Sequence, residues 1–206
     1  MIRAVVFDLG GVIVDIRHTW LEAIAAAGVT AANSNPGRLG DTAFLDDYNA
    51  GALSLHEYLE LLAEFLGLEK PQDALEAHQA ILGPETEGSL ELMRSLRAQG
   101  VLTACLSNTN EAHWQRLRSP AHFPTIAAMD EWFASHILGV NKPDDRIYIA
   151  AEESLRLQPS ELFFFDDLAA NVAAAQLRGW QGEVIDPAGG QAAQMRAALA
   201  QAGLTV

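Results

Sequence analysis

The sequence predicts an α/β fold, a doubly wound parallel sheet whose first strand is followed by an inserted block of helices. Three observations carry this. A short apolar run at 4–7 ends on a carboxylate, Asp8, with Gly10 and Gly11 close behind it, the pattern of a buried strand closed by a turn. Residues 17–82 then place apolar side chains at helical spacing almost throughout. From Glu85 onward helix and strand patterns alternate, which implies parallel strands with both faces of the sheet covered.

The elements follow in order. The strand at 4–7 puts Asp8 at its carboxyl end, where open α/β sheets hold their ligands. In the inserted block, 15–85, Trp20, Leu21 and Ile24, then Tyr58, Leu59, Leu61, Leu62, Phe65 and Leu66, recur at helical spacing. Asn33-Ser34-Asn35-Pro36-Gly37 is a turn signal, Gly51 breaks the helical run, and Ser54 with Glu57 supplies a capping box for the next helix. Residues 90–99 read as an amphipathic helix closed by Gly100, and 101–106 as the next strand. Helix 111–117, a short strand at 134–138, helix 146–156 and a buried strand at 162–165 come next. Helix 171–178, strand 182–185 and helix 191–202 complete the chain.

Composition limits what such a fold can do. The 206 residues, 50% hydrophobic and 19% charged, suit one large soluble domain or a core with a modest insertion. No apolar run approaches the roughly 20 residues that span a bilayer, and the chain enters its first strand with only Arg3 ahead of it, so no secretory signal is expected. The single cysteine, Cys105, lies among Val101, Leu102, Ala104 and Leu106, as a small buried hydrophobe does; a reducing cytoplasm fits. A formal net charge of −14 argues against nucleic acid or an anionic membrane as the main partner. A phosphorylated substrate would have to be drawn by a local device: a lysine, a metal ion or a helix N-terminus.

Four strand ends carry polar groups: Asp8, then Ser107-Asn108-Thr109, then Lys142 within Gly139-Val140-Asn141-Lys142-Pro143-Asp144, then Asp166-Asp167. Charges that abut apolar runs are expensive unless paired or bound to metal. Carboxylates and a lysine converging on one sheet edge offset that cost if a divalent cation joins them. The chemistry open to such a set is phosphoryl transfer through an aspartyl-phosphate. Asp8 would be the nucleophile, and Asp8, Asp166 and a backbone carbonyl near Gly10 would suffice to hold Mg²⁺. Ser107 and Lys142 would hold the phosphate.

Phe7-Asp8-Leu9-Gly10-Gly11-Val12, Leu106-Ser107-Asn108-Thr109-Asn110, Gly139-Val140-Asn141-Lys142-Pro143-Asp144 and Phe163-Phe164-Phe165-Asp166-Asp167 resemble, in order, the four motifs of the haloacid dehalogenase-like (HAD) hydrolase superfamily. The resemblance covers the chain from Ile2 to about Gly182, and within the superfamily it is nearest the branch of bacterial α-D-glucose-1-phosphate phosphatase. It implies a Rossmann-like core of residues 1–14 and 86–206 and a small helical cap of residues 15–85. It also implies a Mg²⁺-dependent phosphatase of small phosphorylated metabolites, sugar phosphates such as glucose 1-phosphate leading. Catalysis would fall to Asp8 and Lys142, phosphate binding to Ser107, Asn108 and Lys142, and the metal to Asp8, Gly10, Asp166 and Asp167. The protein would be a monomer or homodimer.

One departure matters. Phosphatases of this family usually carry a second aspartate two residues after the nucleophile, as general acid and then base; here that position is Gly10. General acid–base catalysis contributes ~10²–10⁴-fold, so activity should depend heavily on the leaving group. Two other readings stand beside the phosphatase: a metal-independent 2-haloacid dehalogenase, and a catalytically weak binding or regulatory protein. Blander roles are also open: Ser107-Asn108 as a helix cap, Lys142 as an exposed turn lysine, Asp167 and Asn171 as capping groups or groups behind the ligands. His18 and His113 read as surface or packing residues, and Trp20, Phe44 and Tyr48 as bundle core or, failing that, substrate clamps.

Overall fold

The computed structural model describes residues 1–206. In chain order it forms β1 (Ala4–Phe7), β2 (Val14–Ile16), α1 (Trp20–Ala27), α2 (Ala43–Asn49), α3 (Leu55–Leu66), α4 (Pro71–Gln79), β3 (Leu82–Glu85), α5 (Ser89–Ala98), β4 (Leu102–Ser107), α6 (Glu111–Leu117), α7 (Pro124–Ala127), β5 (Glu131–Ala134), α8 (Ser135–Leu138), α9 (Asp145–Leu155), β6 (Leu162–Asp166), α10 (Ala169–Leu177), β7 (Gln181–Val184) and α11 (Gln191–Gln201).

Five strands make one parallel sheet in the order β5-β4-β1-β6-β7, the doubly wound α/β architecture expected from the sequence. The chain runs outward from β1 through β4 to β5, then crosses back to β6 on the other side of β1. That reversal opens a crevice above the carboxyl end of β1, the place where such sheets bind ligands. The strands are apolar on both faces. Val5 and Phe7 join Cys105, Phe163 and Phe165 in one buried cluster, while Ala4 and Val6 join Ala104, Leu106, Leu162 and Phe164 in another. This two-residue alternation is what a sheet covered on both sides requires.

The helices α1 to α4 pack around a third cluster that includes Trp20, Tyr48, Tyr58, Leu62 and Leu66. The Ser54–Glu57 capping box opens α3 as read from the sequence. Trp20 and Tyr48 are buried and Phe44 packs against the same cluster, its ring 5.8 Å from that of Tyr58, so all three are core. No helix is long and apolar enough to cross a membrane.

Several expectations need correction. The strand placed at 134–138 is instead β5, Glu131–Ala134, and Ser135–Leu138 is a helical turn. Periodicity cannot separate strand from helix in so short an apolar run, and β5 is an edge strand whose Glu131 and Trp132 face solvent. Residues 17–82 are not continuously helical, since residues 28–38 between α1 and α2 carry no helix. The antiparallel pair of β2 and β3, which leads into and out of the helical block, is too short and irregular in register to leave a strand pattern. Boundaries elsewhere shift by one or two residues.

Candidate active site

The carboxyl ends of β1 and β4 deliver Asp8 and Ser107 to one crevice, Asp166 at the end of β6 lies buried beside it, and the loop after α8 brings Lys142 across them. The ammonium of Lys142 donates to Asp8 Oδ1 at 2.7 Å, to Asp166 Oδ2 at 2.6 Å and to Leu106 O at 2.7 Å, so all its donors are used. The lysine side chain is 1% exposed, the opposite of a turn lysine in water. Its backbone is fixed too: Lys142 N–H donates to Asn108 Oδ1 at 2.7 Å, and Asn108 Nδ2 donates to Lys142 O at 3.0 Å. The Asn108 side chain expected on a phosphate is therefore engaged with the lysine loop, although the residue still lines the crevice.

Asp166 is wholly buried and saturated with donors. Leu168 N–H reaches Oδ1 at 2.8 Å, and Asn171 Nδ2 lies 3.0 Å from both oxygens. Asn171 thus orients Asp166 rather than standing alone at the site. Its signal in the sequence was faint, an amide five residues beyond the acid on the following helix. Ser107 is buried, and its hydroxyl opens on the crevice without a hydrogen bond to the protein. Ser107 and Asn108 do not cap α6; Asn110 does, accepting the His113 N–H at 3.1 Å.

Asp8, Asp166 and Asp167 each offer an oxygen within 4.8 Å of the others. Against the one ammonium of Lys142 these three carboxylates leave excess negative charge. Burial lifts the Asp8 carboxyl to about 7, with Lys142 pulling it down and Asp166 pushing it up. Burial and then Asp166 also raise Asp167. For Lys142, burial opposes the charged form, but Asp166 and Asp8 together hold it protonated above its ordinary range. Crowded, partly desolvated hard-oxygen donors with a charge deficit fit a small divalent cation. Gly11 makes room for this cluster: its φ is +76°, and a Cβ there would lie 2.8 Å from Asp167 Oδ2. Gly10, by contrast, does not occupy the left-handed region.

The crevice, about 460 Å³, is walled on its far side by Ile16, His18, Arg38, Leu39 and Asp41 from the inserted block. Arg38 and Asp41 escaped the sequence reading because the turn signal around Gly37 gave no hint that this loop folds over the sheet edge; His18 is exposed, as expected, and also lines the crevice. Leu39, Leu45, Ile81 and Leu82 line a smaller apolar annex of about 180 Å³ that shares Gly10, Ile16, Ser107 and Asn108 with the main space. His113 is buried as a packing residue: its ring stacks on His78 at 4.0 Å, and its Nε2–H donates to His78 O at 2.8 Å.

Fold and site together define an α/β enzyme whose acids and buried lysine meet at the switch point of a parallel sheet. Residues 2–178 match the family described as haloacid dehalogenase-like hydrolase, and the chain belongs to that family of hydrolases. It is 30% identical over 189 residues to D-ribitol-5-phosphate phosphatase of Bacteroides thetaiotaomicron, an alignment covering 88% of this chain and 90% of the relative. A structure of a HAD-like hydrolase from Porphyromonas gingivalis superposes with a TM-score of 0.81 at 27% identity, covering 97% of this chain and 98% of that one. A HAD-family enzyme of Bacteroides thetaiotaomicron, solved as its magnesium complex, superposes with a TM-score of 0.80 at 22% identity, covering 95% and 98%, a likeness of fold.

Proposed function

We propose that this protein is a Mg²⁺-dependent phosphatase of small phosphorylated metabolites, acting through an aspartyl-phosphate on Asp8. The observation that carries the reading is the Lys142 ammonium held between Asp8 and Asp166 at the floor of a polar crevice. A cation fixed there stabilises the charge of a transferring phosphoryl group without reorganising at the moment of reaction. In this reading Asp8 attacks phosphorus, Ser107 holds a phosphoryl oxygen, and Lys142, its donors already engaged, acts on the phosphoryl group as a fixed positive charge. Asn108 serves through its backbone and by anchoring the lysine loop. Asp8, the Gly10 carbonyl, Asp166 and Asp167 would hold Mg²⁺, which supplies Lewis-acid neutralisation of the phosphoryl oxygens when bound. Residues 15–85 act as the cap over a core of residues 1–14 and 86–206, and the cap loop bearing Arg38 and Asp41 faces the leaving group.

The substrate class is a sugar or polyol phosphate. A crevice of about 460 Å³ with a mostly polar wall suits a short hydroxylated chain, and the 30% identical relative is a D-ribitol-5-phosphate phosphatase. Glucose 1-phosphate belongs in the same trial. The test is phosphate release from a panel of polyol, sugar and aryl phosphates, with Mg²⁺ and with chelator, alongside halide release from 2-haloacids. Turnover of polyol or sugar phosphates that chelator abolishes supports the reading. Halide release in chelator, or no phosphate release from any ester, overturns it.

A further inference from the structure

The extended segment leaving β2 alternates its side chains. Ile16 packs beside Gly10, where a Cβ built on the glycine would meet Ile16 Cδ1 and Cγ2 at 3.4 Å. Arg17 turns away and donates to the carbonyls of Ala80 and Leu82. His18, two residues beyond Ile16, returns to the same side and lines the crevice with Ile16 and Asp8, as the two-residue period of extended chain dictates. The bridge between Thr19 and Arg38 keeps the segment extended at that point.

Few groups on this wall are free to pass a proton. The donors of Lys142 are fully engaged, and Asp8 and Asp167 belong to the carboxylate cluster. Asp41 Oδ2 accepts the Arg38 backbone N–H at 3.1 Å, and a guanidinium does not release its proton in a protein. His18 spends its backbone groups, its N–H on Glu22 Oε2 at 3.1 Å and its carbonyl on the Leu39 N–H at 3.2 Å; its ring nitrogens form no hydrogen bond within the protein. The charged groups around it are Glu22 on α1, Asp167, Asp8 and Lys142 across the crevice, and Arg38 and Asp41 on the neighbouring loop.

Resting on the phosphatase reading, we propose that His18 is the catalytic acid and base of this enzyme, taking the place of the carboxyl that Gly10 lacks. As the Asp8 carboxylate forms its bond to phosphorus and the ester P–O bond breaks, imidazolium gives its proton to the departing alkoxide. The products are the alcohol, neutral His18 and the phosphorylated aspartate. Water then attacks phosphorus, the bond to Asp8 breaks, and His18 takes the water's proton. Hydrogen phosphate leaves, and Asp8 carboxylate and imidazolium are restored. Imidazole suits both halves because it exchanges protons within the physiological range.

The experiment compares wild type, His18→Gln and the double variant His18→Gln/Gly10→Asp, in saturating Mg²⁺ across pH, on p-nitrophenyl phosphate and on an alkyl or polyol phosphate. His18 is exposed, so circular dichroism of His18→Gln should match wild type. The expected result is a loss of ~10²–10⁴-fold in kcat/KM on the alkyl ester and loss of the alkaline limb of its kcat/KM profile, where the imidazolium would otherwise give up its proton. The aryl ester, whose leaving group needs no proton, should keep its burst of p-nitrophenolate while its steady rate falls. Aspartate at position 10 should restore part of the alkyl activity. An unchanged pH profile and unchanged alkyl activity in His18→Gln overturn the role of His18 alone, as does equal loss on both esters with no burst. A wild type that turns over neither ester removes the phosphatase reading and this role with it.

Discussion

Lys142 Nζ lies 2.7 Å from Asp8 Oδ1, inside a site where the lysine is almost wholly buried and the aspartate nearly so. Removing one partner of a buried pair leaves an uncompensated charge, which destabilises by about 3–5 kcal/mol. Lys142→Met therefore leaves Asp8 and Asp166 facing each other without a counter-charge. We expect it to unfold at lower denaturant by about that amount, with Mg²⁺ recovering part of the loss, and to show no measurable phosphate release.

Gly11→Ala probes the carboxylate cluster from behind. A side chain at φ +76° is strained, by about 1–3 kcal/mol, and the new Cβ would press on Asp167 Oδ2 at 2.8 Å. The expected outcome is reduced stability in chemical denaturation together with weaker Mg²⁺ binding. Gly10→Ala, at an ordinary φ with Ile16 in van der Waals reach, should leave stability within about 1 kcal/mol of wild type.

Protons and the cation compete for the same oxygens. Burial holds the Asp8 carboxyl up to about 7, so below that pH the metal-free site keeps a proton that Mg²⁺ must displace. Calorimetric affinity for Mg²⁺ should weaken as pH falls through about 7, with protons released on binding. Asp167→Asn should weaken binding at every pH. Mg²⁺ at about 100 times its Kd should stabilise the fold by roughly 2.7 kcal/mol.

A second pH effect lies away from the site. Tyr58 O–H donates to His78 Nδ1 at 2.9 Å, and His78 Nε2–H donates to Asn110 Oδ1 at 3.0 Å, tying the helical block to the loop after β4. Burial, the leading cause for both rings, lowers His78 and takes His113 from 6.5 to about 4. The unfolded chain therefore binds protons that the folded protein refuses, and stability is lost as pH falls from 6.5 towards 4. For His113 alone the loss is roughly 3 kcal/mol. Melting temperature should fall across that window, and proton NMR should show neither buried ring titrating in its upper half.

What the sequence could disclose follows from physics that acts locally. Apolar runs ending in Asp8, Ser107 and Asp166 announce strands and their carboxyl ends, because a parallel sheet buries both faces and leaves no other reason for such runs. The capping box at Ser54 and Glu57 is equally local. The bonds from Lys142 to Asp8 and Asp166 span 134 and 24 residues; what pointed to them is the cost of unpaired charges beside apolar runs, together with the order of the motifs. Asn108 holding the lysine loop and Asn171 holding Asp166 depend on how separate strand-end loops and α10 meet in the sheet domain, and Arg38 and His18 on the crevice wall depend on how the helical block folds back over the sheet. No periodicity encodes that. The strand β5 stayed hidden because an edge strand with exposed Glu131 and Trp132 carries no apolar signature.

The central claim is that Asp8 carries the phosphoryl group. Its most direct test is borohydride trapping during turnover of a polyol phosphate with Mg²⁺, followed by peptide mapping, in wild type and in Asp8→Asn. The account predicts reduction of residue 8 to homoserine in wild type only, dependent on both substrate and Mg²⁺, and no phosphate release from Asp8→Asn. Phosphate release by Asp8→Asn at a rate near wild type, or trapping at any other carboxylate, would contradict it.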